Sequence, residues 1–97
     1  MKHPKILYLT LKKEFFDQIK RGDKTSEFRE YKKYWVQRLM DADGRLIKYD
    51  FVVFRNGYHK SAQKMTVEFK GIKITRNRTD WFRHKKYFEI ELGKITQ

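Results

Sequence analysis

The chain has 97 residues, no cysteine, and 24 lysine and arginine residues against 12 aspartates and glutamates, which gives a formal net charge of +12 at pH 7. This length suits one domain with its own hydrophobic core, and the absence of cysteine excludes disulfides and thiolate metal ligands. The charge favours a polyanionic partner, because phosphate backbones relieve the repulsion among basic side chains and release counterions on binding.

The sequence has no apolar run of the length that a signal peptide or a membrane span requires. It also has no internal repeat, no low-complexity tract and no linker rich in proline, glycine or serine. We therefore expect one monomeric domain over residues 1–97, located in the cytoplasm and without a membrane partner.

The first third of the chain predicts a strand, a helix and a second strand. Leucines alternate with other residues over 6–11, which indicates a strand that leads directly into the helix. Leu11, Phe15 and Ile19 recur every four residues and predict a helix from about Leu11 to Arg21. Gly22 follows, where a residue in the left-handed conformation would end that helix.

Residues 25–30 alternate with a period of two, which predicts a strand with Phe28 pointing inward and with Glu27 and Arg29 on one shared face. Lys24 precedes the regular alternation. The turn can aim its side chain toward Glu27, whereas strict alternation from Lys24 onward would point it the other way, and both arrangements stay open.

The middle of the chain predicts one further helix and a central strand. Apolar residues at helical spacing over Tyr31–Leu39 indicate a short helix or an ordered arm, and Asp43-Gly44 ends that segment as a turn. The aromatic and β-branched run Ile47–Phe54 is typical of a central strand buried on much of both faces.

Two more alternating segments follow, over residues 65–70 and 87–92, and Gly71 stands where a bulge or a barrel corner would fall. The predicted fold class is therefore α+β, with five or six strands and one or two short helices. Many short strands in a chain of this size favour a curled sheet that closes into a small barrel.

Gly22, Lys24, Glu27 and Arg29 have the spacing GxKxxExR. This motif, placed after a strand and a helix, resembles the signature of the ASCH family, whose domains share the PUA-like β-barrel fold. The resemblance implies a cleft between barrel and helix, lined by the motif residues, with roles in RNA binding or nucleotide chemistry. Some members look like ribonucleases. A related branch hydrolyses an acetylated cytidine, and there a threonine that supplies the nucleophile stands at the position of Glu27.

Lys24 and Glu27 are the candidate catalytic residues. Glu27 can accept a proton from a ribose 2′-hydroxyl, while Lys24 and Arg29 stabilise the charge that builds on the phosphate. The alternatives are an exposed Lys24 that only pairs with Glu27, and a structural ion pair between Glu27 and Arg29 on one strand face. Lys24 and Arg29 can also contact phosphate without catalysis. Three further residues are predicted to line the same cleft: Tyr8, Thr10 and Ser26.

The loop at residues 55–60, Arg-Asn-Gly-Tyr-His-Lys, is a second candidate site. It combines basic side chains, an amide and an aromatic ring, which together can clamp phosphates and stack a base. The predicted contacts are Arg55, Asn56, Tyr58 and Lys60. The alternative is a turn with Tyr58 folded over the barrel.

A third candidate site spans residues 73–86, where basic residues surround aromatic ones. Single-stranded nucleic acid needs charge for its backbone and rings for its bases, and this segment offers both. The alternative keeps at least one ring in the core and leaves the charges outside. The predicted contacts are Lys73, Arg76, Arg78, Trp81, Arg83, Lys85 and Lys86.

Three functions are compatible with these features. The first is an RNA or single-stranded nucleic-acid binding domain, which would use the charge of the whole surface. The second is a small hydrolase, acting on RNA as a metal-independent ribonuclease or on a modified nucleoside as an amidohydrolase. The third is an adaptor whose basic surface binds an acidic protein. His3, His59 and His84 lack the spacing of a zinc site, and we expect neither a metal nor a cofactor.

Overall fold

The computed structural model describes residues 3–76 and 86–96, which form five strands and two short helices. The elements in chain order are β1 (Ile6–Leu11), α1 (Lys13–Lys20), β2 (Ser26–Glu30), α2 (Lys33–Leu39), β3 (Phe51–Asn56), β4 (Lys64–Arg76) and β5 (Lys86–Ile95). The α+β class and the predicted numbers of strands and helices are thus confirmed. No helix in the described ranges has the length and apolar character needed to cross a bilayer.

The five strands form one mixed sheet in the order β1-β3-β4-β5-β2. β1 and β3 are parallel, and the other three pairs are antiparallel. The sheet curls into a half-barrel. Within the described residues β1 and β2 are its two edges and do not pair with each other, although α1 connects them directly along the chain.

The curl comes mainly from β4, which has 13 residues and pairs with β3 through its first half and with β5 through its second. The register with β5 shifts between Val67 and Phe69 and again between Phe69 and Gly71. Gly71 has a φ of +143°, which favours glycine. The predicted bulge at Gly71 is therefore confirmed, and it bends the strand as bulges do.

The strands and α1 contribute to one hydrophobic core. Phe54, Phe88 and Ile90 are fully buried in it, and α1 contributes Phe16 and Ile19. Among the described residues, the buried apolar ones are Leu7, Leu9, Leu11, Phe16, Ile19, Leu39, Val52, Phe54, Met65, Val67, Phe88, Ile90 and Leu92. Burial of this kind stabilises a domain by roughly 25 cal/mol per Å² of apolar surface.

The predicted helix face was partly wrong. α1 begins at Lys13 and not at Leu11, because Leu11 pairs with Asn56 in the sheet and Lys12 keeps an extended backbone. This start point brings Phe16 into the core and leaves Phe15 37% exposed.

The predicted orientation of β2 was also wrong, because Phe28 points outward and is 44% exposed whereas Glu27 is 4% exposed. Alternation along a strand allows only one of these neighbours to face the core. A buried carboxylate is costly unless it is paired and hydrogen-bonded, and the contacts of Glu27 described below meet that condition.

Candidate functional site

The turn between α1 and β2 positions the first motif residues. Gly22 has a φ of +82°, and its N–H donates to the Ile19 carbonyl at 3.0 Å. The N–H of Asp23 donates to the Gln18 carbonyl at 2.9 Å, which completes a Schellman-type helix end. The chain therefore leaves the helix in a fixed direction and carries Lys24 back toward β2, as the left-handed conformation predicted at Gly22 requires.

Lys24, Glu27 and Arg29 form a compact group that we call the motif cluster. Lys24 Nζ lies 2.9 Å from Glu27 Oε1, and Arg29 Nη1 lies 3.5 Å from Glu27 Oε2. The Phe28 N–H donates to Glu27 Oε1 at 2.9 Å. The shared face of Glu27 and Arg29 is confirmed, and the turn does aim Lys24 at the same carboxylate.

Each cation of the motif cluster also contacts an aromatic ring. Lys24 Nζ lies 4.6 Å from the centroid of Phe15 in α1, and Arg29 Cζ lies 5.2 Å from that of Trp35 in α2. The side chains of Lys24 and Arg29 remain 20% and 17% exposed, against 6% for Glu27. Two cations thus reach solvent over one buried carboxylate, so the cluster presents a net positive charge to the surface.

Arg29 places the motif cluster at the open seam between the edge strands. Its Nη2 donates to the Thr10 carbonyl of β1 at 3.4 Å, and its Nη1 donates to the Phe28 carbonyl at 2.8 Å. Thr10 therefore contributes a backbone oxygen to the cluster. Tyr8 is 69% exposed and alternates with the buried Leu7 and Leu9, so its ring lies on the outer side of β1.

The loop at residues 55–60 lies beside the same end of β1. The Gly57 N–H donates to the Leu11 carbonyl at 2.9 Å, and the parallel pairing places Thr10 opposite Arg55. The carboxyl ends of the parallel strands β1 and β3 thus lie side by side, and polar groups gather at such strand ends. No local sequence pattern predicts that this loop lies beside the end of β1, because its position depends on the pairing of β1 with β3.

Within this loop Arg55 has a structural contact. Its Nη2 donates to the carbonyls of Tyr58 and His59, and its Nε is buried without a hydrogen-bond partner in the described part of the chain. Tyr58 is 86% exposed, so its ring is presented to solvent and is not folded over the sheet. Asn56 forms a backbone bond to Gln63, and Lys60 is exposed.

The third predicted segment is described only in part. Lys73 Nζ lies 3.8 Å from Glu89 Oε1 and 3.9 Å from Glu91 Oε1, and Lys86 Nζ lies 5.1 Å from the Tyr31 ring centroid. Arg76 is opposite Lys86 in the β4–β5 pair. The other predicted contacts lie outside the described residues: Arg78, Trp81, Arg83 and Lys85.

Ser26 and Phe28 lie on the face of β2 opposite Glu27. Ser26 Oγ donates to Glu89 Oε2 at 2.9 Å, so the structure does not bring this hydroxyl into the motif cluster. Phe28 instead borders a shallow groove of about 400 Å³ with Thr75, Arg76 and Tyr87. Sequence reasoning missed this groove because it placed Phe28 inside.

The described residues contain no group of three or more histidine, aspartate or glutamate side chains arranged to hold a metal ion. No known protein-family model matches the chain, and no curated protein matches it either.

Proposed function

We propose that this chain is an ASCH-type domain of PUA-like fold that binds RNA or another single-stranded nucleic acid. Two features support the family: the GxKxxExR spacing from Gly22 to Arg29, and the place of that motif in the turn after α1 and along β2 of a curled sheet. A PUA-like barrel is compatible with the half-barrel and its open seam.

The observation that carries the proposed function is the arrangement of charge in the motif cluster. Lys24 and Arg29 are both partly exposed, while the carboxylate between them is buried beneath the surface. An approaching phosphate would therefore meet two cations before it meets Glu27. The surplus of 12 positive charges on the chain strengthens this phosphate binding, because it raises the local concentration of a polyanion.

Exposed aromatic rings on β1 and in the loop beside it favour nucleic acid over an acidic protein as the partner. Tyr58 is 86% exposed in the loop beside β1, and Tyr8 is 69% exposed on β1 itself. A ring of this kind can stack on a base of any sequence, with a contribution of about 1–3 kcal/mol per base. An acidic peptide would use the charges but not the rings.

The contacts of Glu27 favour binding over hydrolysis. A general base must reach the proton that it removes, within about 3 Å or through one water. Both oxygens of Glu27 already face cations, and one of them also accepts the Phe28 N–H. Glu27 also stands where the amidohydrolase branch of the resembled family has its nucleophilic threonine, so we do not propose that reaction.

The direct test is a titration of the protein into fluorescent single-stranded RNA, followed by anisotropy over a range of salt concentrations. Single-stranded DNA and duplex DNA of the same sequence serve as competitors. We expect binding that weakens linearly in a plot of log K against log salt and that remains measurable at about 0.15 M salt, with single strands preferred over duplex. Binding that disappears equally for all three polymers at that salt concentration would contradict the proposed function.

A further inference from the structure

A basic groove, separate from the one beside Phe28, lies next to the motif cluster, between the end of α1 and the end of β5. It has a volume of about 450 Å³, and the ten described residues that line it include no acidic one. Four of the ten carry a positive charge: Lys20, Arg21, Lys24 and Lys94. We call it the α1–β5 groove.

The two walls of the α1–β5 groove are held together by backbone and core contacts. The Leu92 N–H of β5 donates to the Thr25 carbonyl at 2.9 Å, which joins the strand to the turn after α1. Ile19 and Leu92 line the groove with side chains that are 3% and 9% exposed and belong to the core. Gly22 leaves open space where a side chain would stand, whereas the side chains of Glu68 and Lys70 occupy that position at Gly93.

Half of the cations of this groove are uncompensated, and Lys24 has its partner in Glu27. Within the described residues, neither Lys20 nor Lys94 has a carboxylate within 4.0 Å, and both are exposed. Arg21 does pair with Asp23 at 2.9 Å, but both side chains are about 60% exposed, so this contact is weak. Glu68 accepts the Lys94 N–H at 2.9 Å but does not line the groove.

We infer that the α1–β5 groove binds phosphate groups of the nucleic acid and leads the strand toward the motif cluster. Lys24 connects the two sites, since its side chain lines the groove while its Nζ contacts Glu27. A nucleic-acid strand bound along the groove would therefore contact Lys94 and Lys20 in addition to Lys24 of the motif cluster. The identity of the polymer rests on the proposed function, whereas the phosphate site rests on the groove alone.

The test compares two double variants that remove the same charge. The groove variant is Lys20→Ala with Lys94→Ala. The control is Lys48→Ala with Arg45→Ala, since both side chains are exposed, form no ion pair within the described residues and lie outside the groove. Loss of two phosphate contacts should lower the salt slope for single-stranded RNA by about 1.4 and the affinity about tenfold at 0.15 M salt. The control should change affinity by less than about threefold, because distant exposed charges are screened at this ionic strength.

A second measurement uses inorganic phosphate, with the backbone amides followed by NMR and sodium chloride at equal ionic strength as reference. We expect saturable shifts of the Gly22, Thr25, Gly93 and Lys94 amides, and their loss in the groove variant. Equal affinities and salt slopes for the two double variants, with tight RNA binding by the parent, would contradict phosphate binding by the groove and leave the proposed function intact. Saturable phosphate shifts in a parent that does not bind RNA would support the groove and overturn the proposed function.

Discussion

Arg29 of β2 donates a hydrogen bond from Nη2 to the carbonyl of Thr10 in β1, at 3.4 Å, across the seam that the sheet leaves open. The two edge strands share no backbone pairing within the described residues, so this side chain connects them directly. The same guanidinium contacts Glu27 and lies over the Trp35 ring. One residue therefore links the strand edges, the buried carboxylate and α2.

The first prediction concerns this link. Arg29→Lys keeps the charge but loses the planar guanidinium that contacts Thr10, Phe28 and Trp35 together. We expect the free energy of unfolding to fall by about 1–2 kcal/mol, as measured by chemical denaturation. Arg45→Lys is the matched control, because Arg45 is exposed and its side chain forms no hydrogen bond or ion pair within the described residues. Equal stability of the two variants would contradict the role assigned to Arg29.

The second prediction separates binding from catalysis at Glu27. Glu27→Gln keeps an acceptor for the Phe28 N–H but removes the negative charge between Lys24 and Arg29. We expect stability to fall by about 1–3 kcal/mol, since the cations lose a buried partner but remain partly solvated. We also expect RNA affinity to rise by about 1 kcal/mol, or about fivefold, because the carboxylate no longer repels phosphate.

The control for this variant is Glu30→Gln, which removes an exposed carboxylate from the same strand. Its stability and its RNA affinity should both stay close to those of the parent. Cleavage of RNA by the parent, abolished in Glu27→Gln and retained in Glu30→Gln, would overturn the binding interpretation and favour a metal-independent ribonuclease.

The third prediction tests the turn that delivers Lys24. A Cβ added at Gly22 would have no heavy atom within 4 Å, but its φ of +82° is unfavourable for alanine. Gly22→Ala should therefore destabilise the domain by about 1–2 kcal/mol through backbone strain alone. Gly22→Asn should cost less, since asparagine tolerates the left-handed region better than alanine. Thermal unfolding of the three proteins measures this order, and an equal loss in both variants would contradict it.

The fourth prediction concerns Tyr49. Burial raises the pKa of its phenol above the ordinary value of 10.0, although the nearby Arg38 guanidinium opposes the shift, and its hydroxyl donates to the Arg38 carbonyl at 2.6 Å. The unfolded chain therefore loses this proton first as the pH rises. The contribution of the protonated Tyr49 hydroxyl to stability is complete below about pH 10 and declines as the pH rises toward the raised folded-state pKa.

The measurement for Tyr49 is the difference in unfolding free energy between the parent and Tyr49→Phe. We expect the parent to be more stable by about 1 kcal/mol at neutral pH, and the difference to shrink above about pH 10. Because both proteins have the same lysines, lysine titration largely cancels in this difference. A difference that stays constant through the alkaline range would show that Tyr49 does not contribute through its proton.

Strand alternation predicted the buried faces of β1, β4 and β5 because those strands are covered on one side only. Leu7, Val67 and Ile90 are buried as that pattern requires. It failed for β2, where Glu27 took the inner position from Phe28. Lys24 and Arg29 compensate the charge of the buried Glu27 carboxylate. An alternation pattern considers only the polarity of each residue by itself and cannot predict such pairing.

The helix prediction failed for a different reason. Phe15 and Phe16 precede Ile19 by four and three residues, and both spacings are helical, so the pattern does not decide which ring faces the core. Pairing of Leu11 with Asn56 fixed that start. The closeness of Thr10 to Arg29 and of Leu11 to Gly57 likewise depends on which strands are neighbours, and no local pattern contains that information.

The most direct test of the central claim is the affinity of Lys24→Gln for fluorescent single-stranded RNA at about 0.15 M salt, compared with Lys48→Gln, which removes the same charge outside the site. Circular dichroism confirms that both variants are folded. The binding account predicts that Lys24→Gln loses at least about fivefold in affinity and that Lys48→Gln stays within about twofold of the parent. Equal affinities of the two variants would show that the motif cluster is not the nucleic-acid site.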